Sequence, residues 1–481
     1  MLEYATKKLY DELDKKSEEL KNSILNTKTE VTFTGTAHYV SNDGNDDADG
    51  LTPETAWKTN AKVSAAELNP GDAVFFRRGD LFRGRVFAKP GVTYSAYGEG
   101  PKPKIYAYRE NAAKPEKWEL FDKERMIWRY TDEILDAGTL VFNDGEAVGL
   151  KEIPSFIDGE FRCLEDKTKK YDFREHLTRD FMFFQDNCKV LNDAGLPNVG
   201  DPNCTGTLYL RYSVGNPGEV FDSIELNTKY NLIQITGNGI TIDNLCIKHA
   251  GSHGIGSGTV DDLTVQNCEI GWIGGSIQFY GRTDGHVVRF GNGVEIYGGC
   301  HRYTVKNCWV YECYDAGVTH QVSAEDKHLD MFDVTYEHNL IENCVYSIEY
   351  FLSRLTPENT CTMKNFFIRD NIMRFCGFGW GRQRIGHANA HIKGWDSDNP
   401  NENYIIENNI FDRSTDKLIH VASKRGGNPI LRNNTYIQYP NAKFGRIGVP
   451  PTELVYFDIE KGDKIVEEKF GEQNGKFYIA Y

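Results

Sequence analysis

No stretch of the 481-residue chain approaches ~20 consecutive apolar residues, so the sequence predicts no membrane-spanning helix. The segment from Met1 to Glu30 is charged and helical in pattern, with no apolar run of signal-peptide length; a cytoplasmic location is the expectation. Blocks rich in Lys and Arg are missing as well. With 55 Lys plus Arg against 70 Asp plus Glu, the net charge is −15, which argues against nucleic acid and polyanionic polymers and fits neutral sugars better. Neither a CxxC pair nor an HExxH helix motif occurs, so no metal site is expected. The eleven cysteines are odd in number, and Cys268, Cys308 and Cys344 each follow an Asn inside apolar segments. They read as buried thiols in a reducing compartment, not as a disulfide framework.

What the chain does have is a repeat. The stretches ITIDNLCI, LTVQNCEI, YTVKNCWV, VTYEHNLI, FFIRDNIM, YIIENNIF and PILRNNTY each end a β-branched or aromatic run near an Asn: Asn244, Asn267, Asn307, Asn339, Asn371, Asn409 and Asn434. Such a period suits one solenoid turn per repeat, and strands of successive coils ~4.8 Å apart let equivalent Asn side chains stack and hydrogen-bond. A second strand register follows each Asn, around Ile255, Val294, Val318, Ile348 and Ile419. The fold class this predicts is all-β: a right-handed parallel β-helix, in which each coil buries its apolar face against the next. Five regions follow along the chain. Residues 1–30 form an amphipathic helix (Leu9, Leu13, Leu20, Ile24) expected to cap the first coil, with a dimer contact as its alternative role. Residues 31–105 form the first coils, 106–230 an inserted β-rich subdomain, 231–447 the main β-helix and 448–481 a C-terminal extension.

Side chains that follow the central inward aliphatic of the second register point outward, one per coil. That row holds Gly256, Glu295, Thr319, Glu349, Gly381 and His420, with Asp315 at the turn before the Thr319 strand. Two carboxyls on adjacent coils, roughly 5–6 Å apart, suit retaining glycoside hydrolysis, in which one is nucleophile and the other acid/base. Crowding by Tyr346, Tyr350 and Phe351 favours Glu349 as the acid and leaves Asp315 as nucleophile. Around them, His253, Trp272, Asn292, Glu295, His320, Gln321, Tyr350, Trp380, Arg384 and His391 are candidates for sugar contacts, combining aromatic faces with hydrogen-bonding groups. His387 and His391 stand four apart, but no third ligand accompanies them. The acidic stretch from Ser41 to Gly50 reads first as a turn, with a structural calcium as its alternative; no other cofactor is expected.

The opening YVSNDGNDDADGLTPETAWKT, the later RFGNGVEIYG (Arg289 to Gly298), YDAGVTHQ (Tyr314 to Gln321) and YSIEYF (Tyr346 to Phe351), and the inserted GTLYLRYSVGNPGE resemble bacterial β-helix glycoside hydrolases, in particular glycoside hydrolase families 141 and 120. The resemblance runs from about Tyr39 to Asn434 and implies Asp315 and Glu349 as the catalytic pair. It also implies a xylosidase- or fucosidase-like activity on oligosaccharides from plant or host glycans; with no leader in view, an exo-acting enzyme is favoured. The stretch SAEDKHLDMFD between the two motifs leaves open whether the carboxyls lie on neighbouring coils. Two rival readings share the fold: a polysaccharide lyase or uronate epimerase, with Arg382, Arg384 and Lys393 to neutralise a uronate, and a non-catalytic carbohydrate-binding solenoid.

Overall fold

The computed structural model describes residues 2–281, 285–324, 329–354, 356, 358–384, 388–395 and 397–481. The chain winds through three long, mainly parallel sheets around one apolar core, which is a parallel β-helix. One full turn shows the logic. Thr264–Gln266 lies in a back sheet, Glu269–Ile273 in a flank sheet and Val294–Tyr297 in a third sheet that carries the site; Cys300–Lys306 then returns to the back. Inward positions stack in register from coil to coil, Val265 on Val305, Ile270 on Val310 and Val294 on Val318, so the aliphatic columns align along the axis.

The expected single Asn row resolves into two columns, one residue out of phase. Lys306 pairs with Glu337, so Asn307 matches His338, and Asn339 matches Cys308. Asn244, Asn267 and Asn307 occupy a turn position with φ between 50° and 61°, the left-handed region that Asn tolerates. Asn339, Asn371, Asn409 and Asn434 take the next, fully buried position. There each side-chain amide donates to the Asn below at 3.0–3.2 Å, and Asn434 ends the ladder on Glu472 at 3.0 Å. Leu245, Cys268 and Cys308 fill the same buried position in earlier coils.

The helix expected as a cap spans Lys7–Leu25 and covers the flank of the stack instead of its first coil. Strand Glu3–Tyr4 adds to the last flank strand, Lys476–Ile479, inside the segment read as an extension. From there the helix lays Leu9, Leu13 and Leu20 over Leu340, Ile372 and Ile437, outward-facing flank residues that would otherwise be wet. Arg374 fastens it through Asp14 at 2.6 Å. The core at the stack ends is closed by Asn60–Ala65, with Val63 buried, and by Gly462–Phe470, with Val466 and Phe470 buried. Among the described residues, no helix is long and apolar enough to cross a membrane.

The β-rich insertion builds its own core, with Trp118, Phe142, Phe183 and Leu210, on two small sheets. A buried polar joint fixes it to the β-helix. Asp136 accepts from Lys151 Nζ at 2.5 Å and from the Ile277 backbone at 2.6 Å, while Arg289 donates to the carbonyls of Gly275 and Gly138 at 2.6 and 2.9 Å. In the acidic turn, Asp46 accepts from the Lys58 and Thr59 amides and from the Thr59 hydroxyl, so its carboxylate shapes the turn.

Candidate active site

The outward row on the site sheet runs, coil by coil, through Gln234, Gly256, Glu295, Thr319, Glu349, Lys393, His420 and Arg446. Lys393 takes the slot expected for Gly381, which lies instead in the short 3-10 turn Trp380–Gln383 beside the sheet. Strands Ala316–Ala324 and Tyr346–Arg354 pair along their whole length. Asp315 and Glu349 therefore belong to neighbouring coils; residues 325–328 of the intervening stretch lie outside the described residues. Asp315 sits at the corner, its carbonyl accepting from the Tyr346 amide at 3.1 Å.

Each carboxyl has its own holder. Arg384 Nη1 donates to Asp315 Oδ1, and the Trp395 indole N–H donates to Glu349 Oε1. Glu295 is gripped by the Asn292 amide, by Gln321 and by His253 Nδ1 at 3.0 Å. The proton affinities separate accordingly. Burial, then the Asp315 charge, pushes Glu349 up to about 8. Burial also raises Asp315, and the Arg384 guanidinium works against that rise. Burial likewise opposes charge on Glu295, yet His253 and the hydrogen bonds outweigh it and hold that carboxyl below the ordinary glutamate value. Around neutral pH, Glu349 carries a proton, and within the pair the Arg384 guanidinium favours the charged form of Asp315.

Two hydroxyls in this constellation are orphaned. Among the described residues, Thr319 Oγ1, between the Glu295 and Glu349 coils, and Tyr346 Oη are both buried without a hydrogen-bond partner. Such a group costs about 1–3 kcal/mol. The Tyr346 ring touches both holders, 5.4 Å from the Arg384 guanidinium and 5.6 Å from the Trp395 indole.

Of the residues expected to contact sugar, Glu295, His253, Asn292, Gln321 and Arg384 do gather around the carboxyls. Others point away, and these are corrections. His320 and Tyr350 follow outward residues on their strands, so the alternation turns them into the core, where they stack at 5.9 Å. His320 is bonded to the Tyr336 hydroxyl at 2.8 Å and burial pushes its pKa down to about 3. His391 is sealed between Ser347 at 2.8 Å and the Arg413 carbonyl at 3.2 Å, and burial lowers its pKa to about 4. His387 lies outside the described residues. Trp272 and Trp380 pack with Val141, Tyr311 and Tyr314 at the foot of the insertion, on the flank side of the corner. Trp395, which holds Glu349, has no local sequence pattern that ties it to the acid; its position two residues beyond the outward Lys393 was the available signal.

A cavity of about 270 Å³ lies beside Arg384, the partner of Asp315, and is lined also by Tyr314, by Arg289 and Val288 from the hairpin Ser276–Tyr280/Val287–Phe290, and by Ile153 and Leu164 from the insertion.

No protein-family model and no curated protein matches the chain. Solved structures similar to it are parallel β-helix glycoside hydrolases and lyases. A complex of XylC with xylose is 15% identical, with a TM-score of 0.44, covering 88% of this chain and 73% of the other. A glycoside hydrolase is 10% identical at a TM-score of 0.46, covering 93% and 96%, and pectate lyase Pel9A is 14% identical at 0.38, covering 85% and 70%. What this chain is similar to is thus a set of β-helix enzymes, some hydrolases and some lyases.

Proposed function

We propose that the protein is a retaining, exo-acting glycoside hydrolase of neutral oligosaccharides, xylosidase- or fucosidase-like, working through Asp315 and Glu349. The observation that carries this reading is the pair itself: two buried carboxyls on neighbouring coils, Glu349 protonated at an elevated pKa and Asp315 paired with Arg384. Glu349 gives its proton to the glycosidic oxygen as the bond to the leaving group breaks. Asp315 attacks the anomeric carbon, forming a glycosyl ester. Glu349, now a carboxylate, takes a proton from water, whose oxygen displaces Asp315 and frees the sugar. The small cavity beside Arg384, walled by the insertion and the hairpin, suits a terminal sugar better than the interior of a polymer.

The test is release of aryl groups from a β-xyloside, α-L-fucoside, α-L-arabinoside and β-galactoside by the wild type, Asp315→Asn and Glu349→Gln. Turnover of one glycoside, lost in both folded variants, supports the reading. Turnover surviving both substitutions would move the chemistry to Glu295. An unsaturated uronate absorbing in the ultraviolet, with no aryl release, would make the protein a lyase.

A further inference from the structure

The Tyr346 hydroxyl is a buried donor that no group among the described residues satisfies, although the residue is fully enclosed. Its surroundings are specific. Its ring lies against Arg384, the partner of Asp315, and against Trp395, the partner of Glu349. Its backbone amide donates to the Asp315 carbonyl, so the ring is anchored at the corner beside the two carboxyls, both of which act on its phenol electrostatically. Burial keeps the phenol protonated, hence a donor, throughout the working pH range.

We infer that Tyr346 Oη is reserved for the bound sugar: it donates a hydrogen bond to an oxygen of the terminal ring seated between Asp315 and Glu349, a contact made only when substrate is present. This rests on the glycosidase reading above. Glu349 Oε1 is occupied by the Trp395 indole N–H, and the same carboxyl must face the glycosidic oxygen for protonation. Trp395 is 40% exposed and stands two residues past the end of its strand, so it is the group that gives way. When a sugar takes its place on Glu349, the Trp395 ring that packs edge-on against Tyr346 is displaced with it. The hydroxyl then gains its partner at the moment the acid is engaged, which ties substrate recognition to readiness for proton transfer.

The decisive variant is Tyr346→Phe, which removes one oxygen and keeps the ring against Arg384 and Trp395. Because that oxygen has no partner to lose among the described residues, the variant is expected to melt at or above the wild-type temperature. Its kcat/KM on the cleaved aryl glycoside should fall about tenfold or more, and inhibition by the released monosaccharide should weaken by a similar factor. Tyr346→Leu, which removes the ring as well, should lose stability in addition. Wild-type kcat/KM and inhibition in Tyr346→Phe would overturn the inference, as would a fall in melting temperature that accounts for the lost activity. If the wild type cleaves no glycoside, the functional reading fails by itself. Calorimetry with D-xylose, L-fucose, L-arabinose and D-galactose then decides the hydroxyl: weaker binding by Tyr346→Phe upholds it, while equal affinity, or no binding by the wild type, overturns it.

Discussion

Glu269 and Glu349 occupy comparable places, each buried on a strand of a parallel sheet, and they have opposite electrostatic fates. Glu269, on the flank, accepts from Lys248 at 2.8 Å and from the Tyr311 hydroxyl at 2.9 Å. Burial opposes its charge, but these partners outweigh burial and its pKa is lowered. Glu349 accepts from the Trp395 indole and has a second carboxyl nearby; its pKa rises to about 8. Burial alone therefore does not mark a reacting group. What marks it is burial, with a second carboxyl beside it, that the nearby guanidinium of Arg384 does not outweigh, because the structure then stores a proton it can give away. Glu312 shows that the rise alone is also insufficient. Burial pushes it up to about 7, yet its Oε2 accepts from the Trp380 amide at 2.9 Å and it supports the turn that leads to Arg384.

The comparison is broken most severely by removing the pair. Glu349→Gln should cost about 10²–10⁴-fold in kcat/KM, and Asp315→Asn should cost more, since no nucleophile remains. Both should stay folded by circular dichroism. Wild-type activity should fall as the pH climbs past about 8, where the acid loses its proton. The same shift governs stability. A carboxyl with a folded-state pKa above its unfolded value of about 4.5 holds its proton more tightly when folded. Its contribution is complete below pH 4.5 and is lost as the pH rises through about 8. Urea midpoints at pH 5 and pH 9 should therefore fall less in Glu349→Gln than in the wild type; an equal fall would show that the raised pKa is wrong.

Next in size is the flank partner. Lys248→Met leaves Glu269 buried without its cation and should cost about 3–5 kcal/mol of stability at neutral pH, while turnover per folded molecule stays at the wild-type level. The loss should shrink in acid, where Glu269 takes up a proton; denaturation curves at pH 7 and pH 4 give both numbers. A drop in turnover per folded molecule would mean that the flank cluster communicates with the site, and the contrast between the two glutamates would weaken.

The fold was legible because its signal is repetitive: every coil restates the same inward aliphatics, and seven restatements survive loops of any length. The site was legible to the extent that alternation fixes direction. Glu295, Thr319 and Glu349 were placed on one face by parity alone, and the register bears that placement out. The same parity, applied one residue further, turns His320 and Tyr350 inward, where polar chemistry had made them attractive as ligands. The Asn columns slipped by one residue because Asn suits both a left-handed turn and a buried ladder, and adjacent Asn pairs such as Asn408–Asn409 hide the difference. Trp272 and Trp380 could not be placed from sequence because their burial depends on how the insertion docks, a long-range contact without a local pattern. The flank position of the first helix is of the same kind, since its apolar stripe fits a flank as well as an end.

Trp395 allows a finer adjustment of the contrast. Its indole N–H lowers the Glu349 pKa, so Trp395→Phe should move the alkaline limb of the pH–rate profile upward from about 8. The change should be a displacement of the limb with the acidic side little altered, read from kcat/KM between pH 6 and 10. A downward displacement would mean that the indole serves to exclude water from Glu349 more than to bond it.

The smallest effect belongs to Thr319, which stands between Glu295 and Glu349 in the row with its hydroxyl buried and unpartnered among the described residues. Valine has nearly the same shape and brings no polar atom. If the hydroxyl is only an unpaid desolvation cost, Thr319→Val should gain about 1 kcal/mol of stability and leave kcat/KM within a few-fold of the wild type. If instead it rotates to meet Glu349 once that acid becomes a carboxylate, the variant should gain the same stability and slow only the second half of the reaction. A burst of aryl release followed by a slow steady state would then report a glycosyl-enzyme waiting for its base. The steady-state rate and the burst amplitude, measured together on one fast-leaving substrate, separate the two roles, because ground-state stability moves in both cases and the burst in only one.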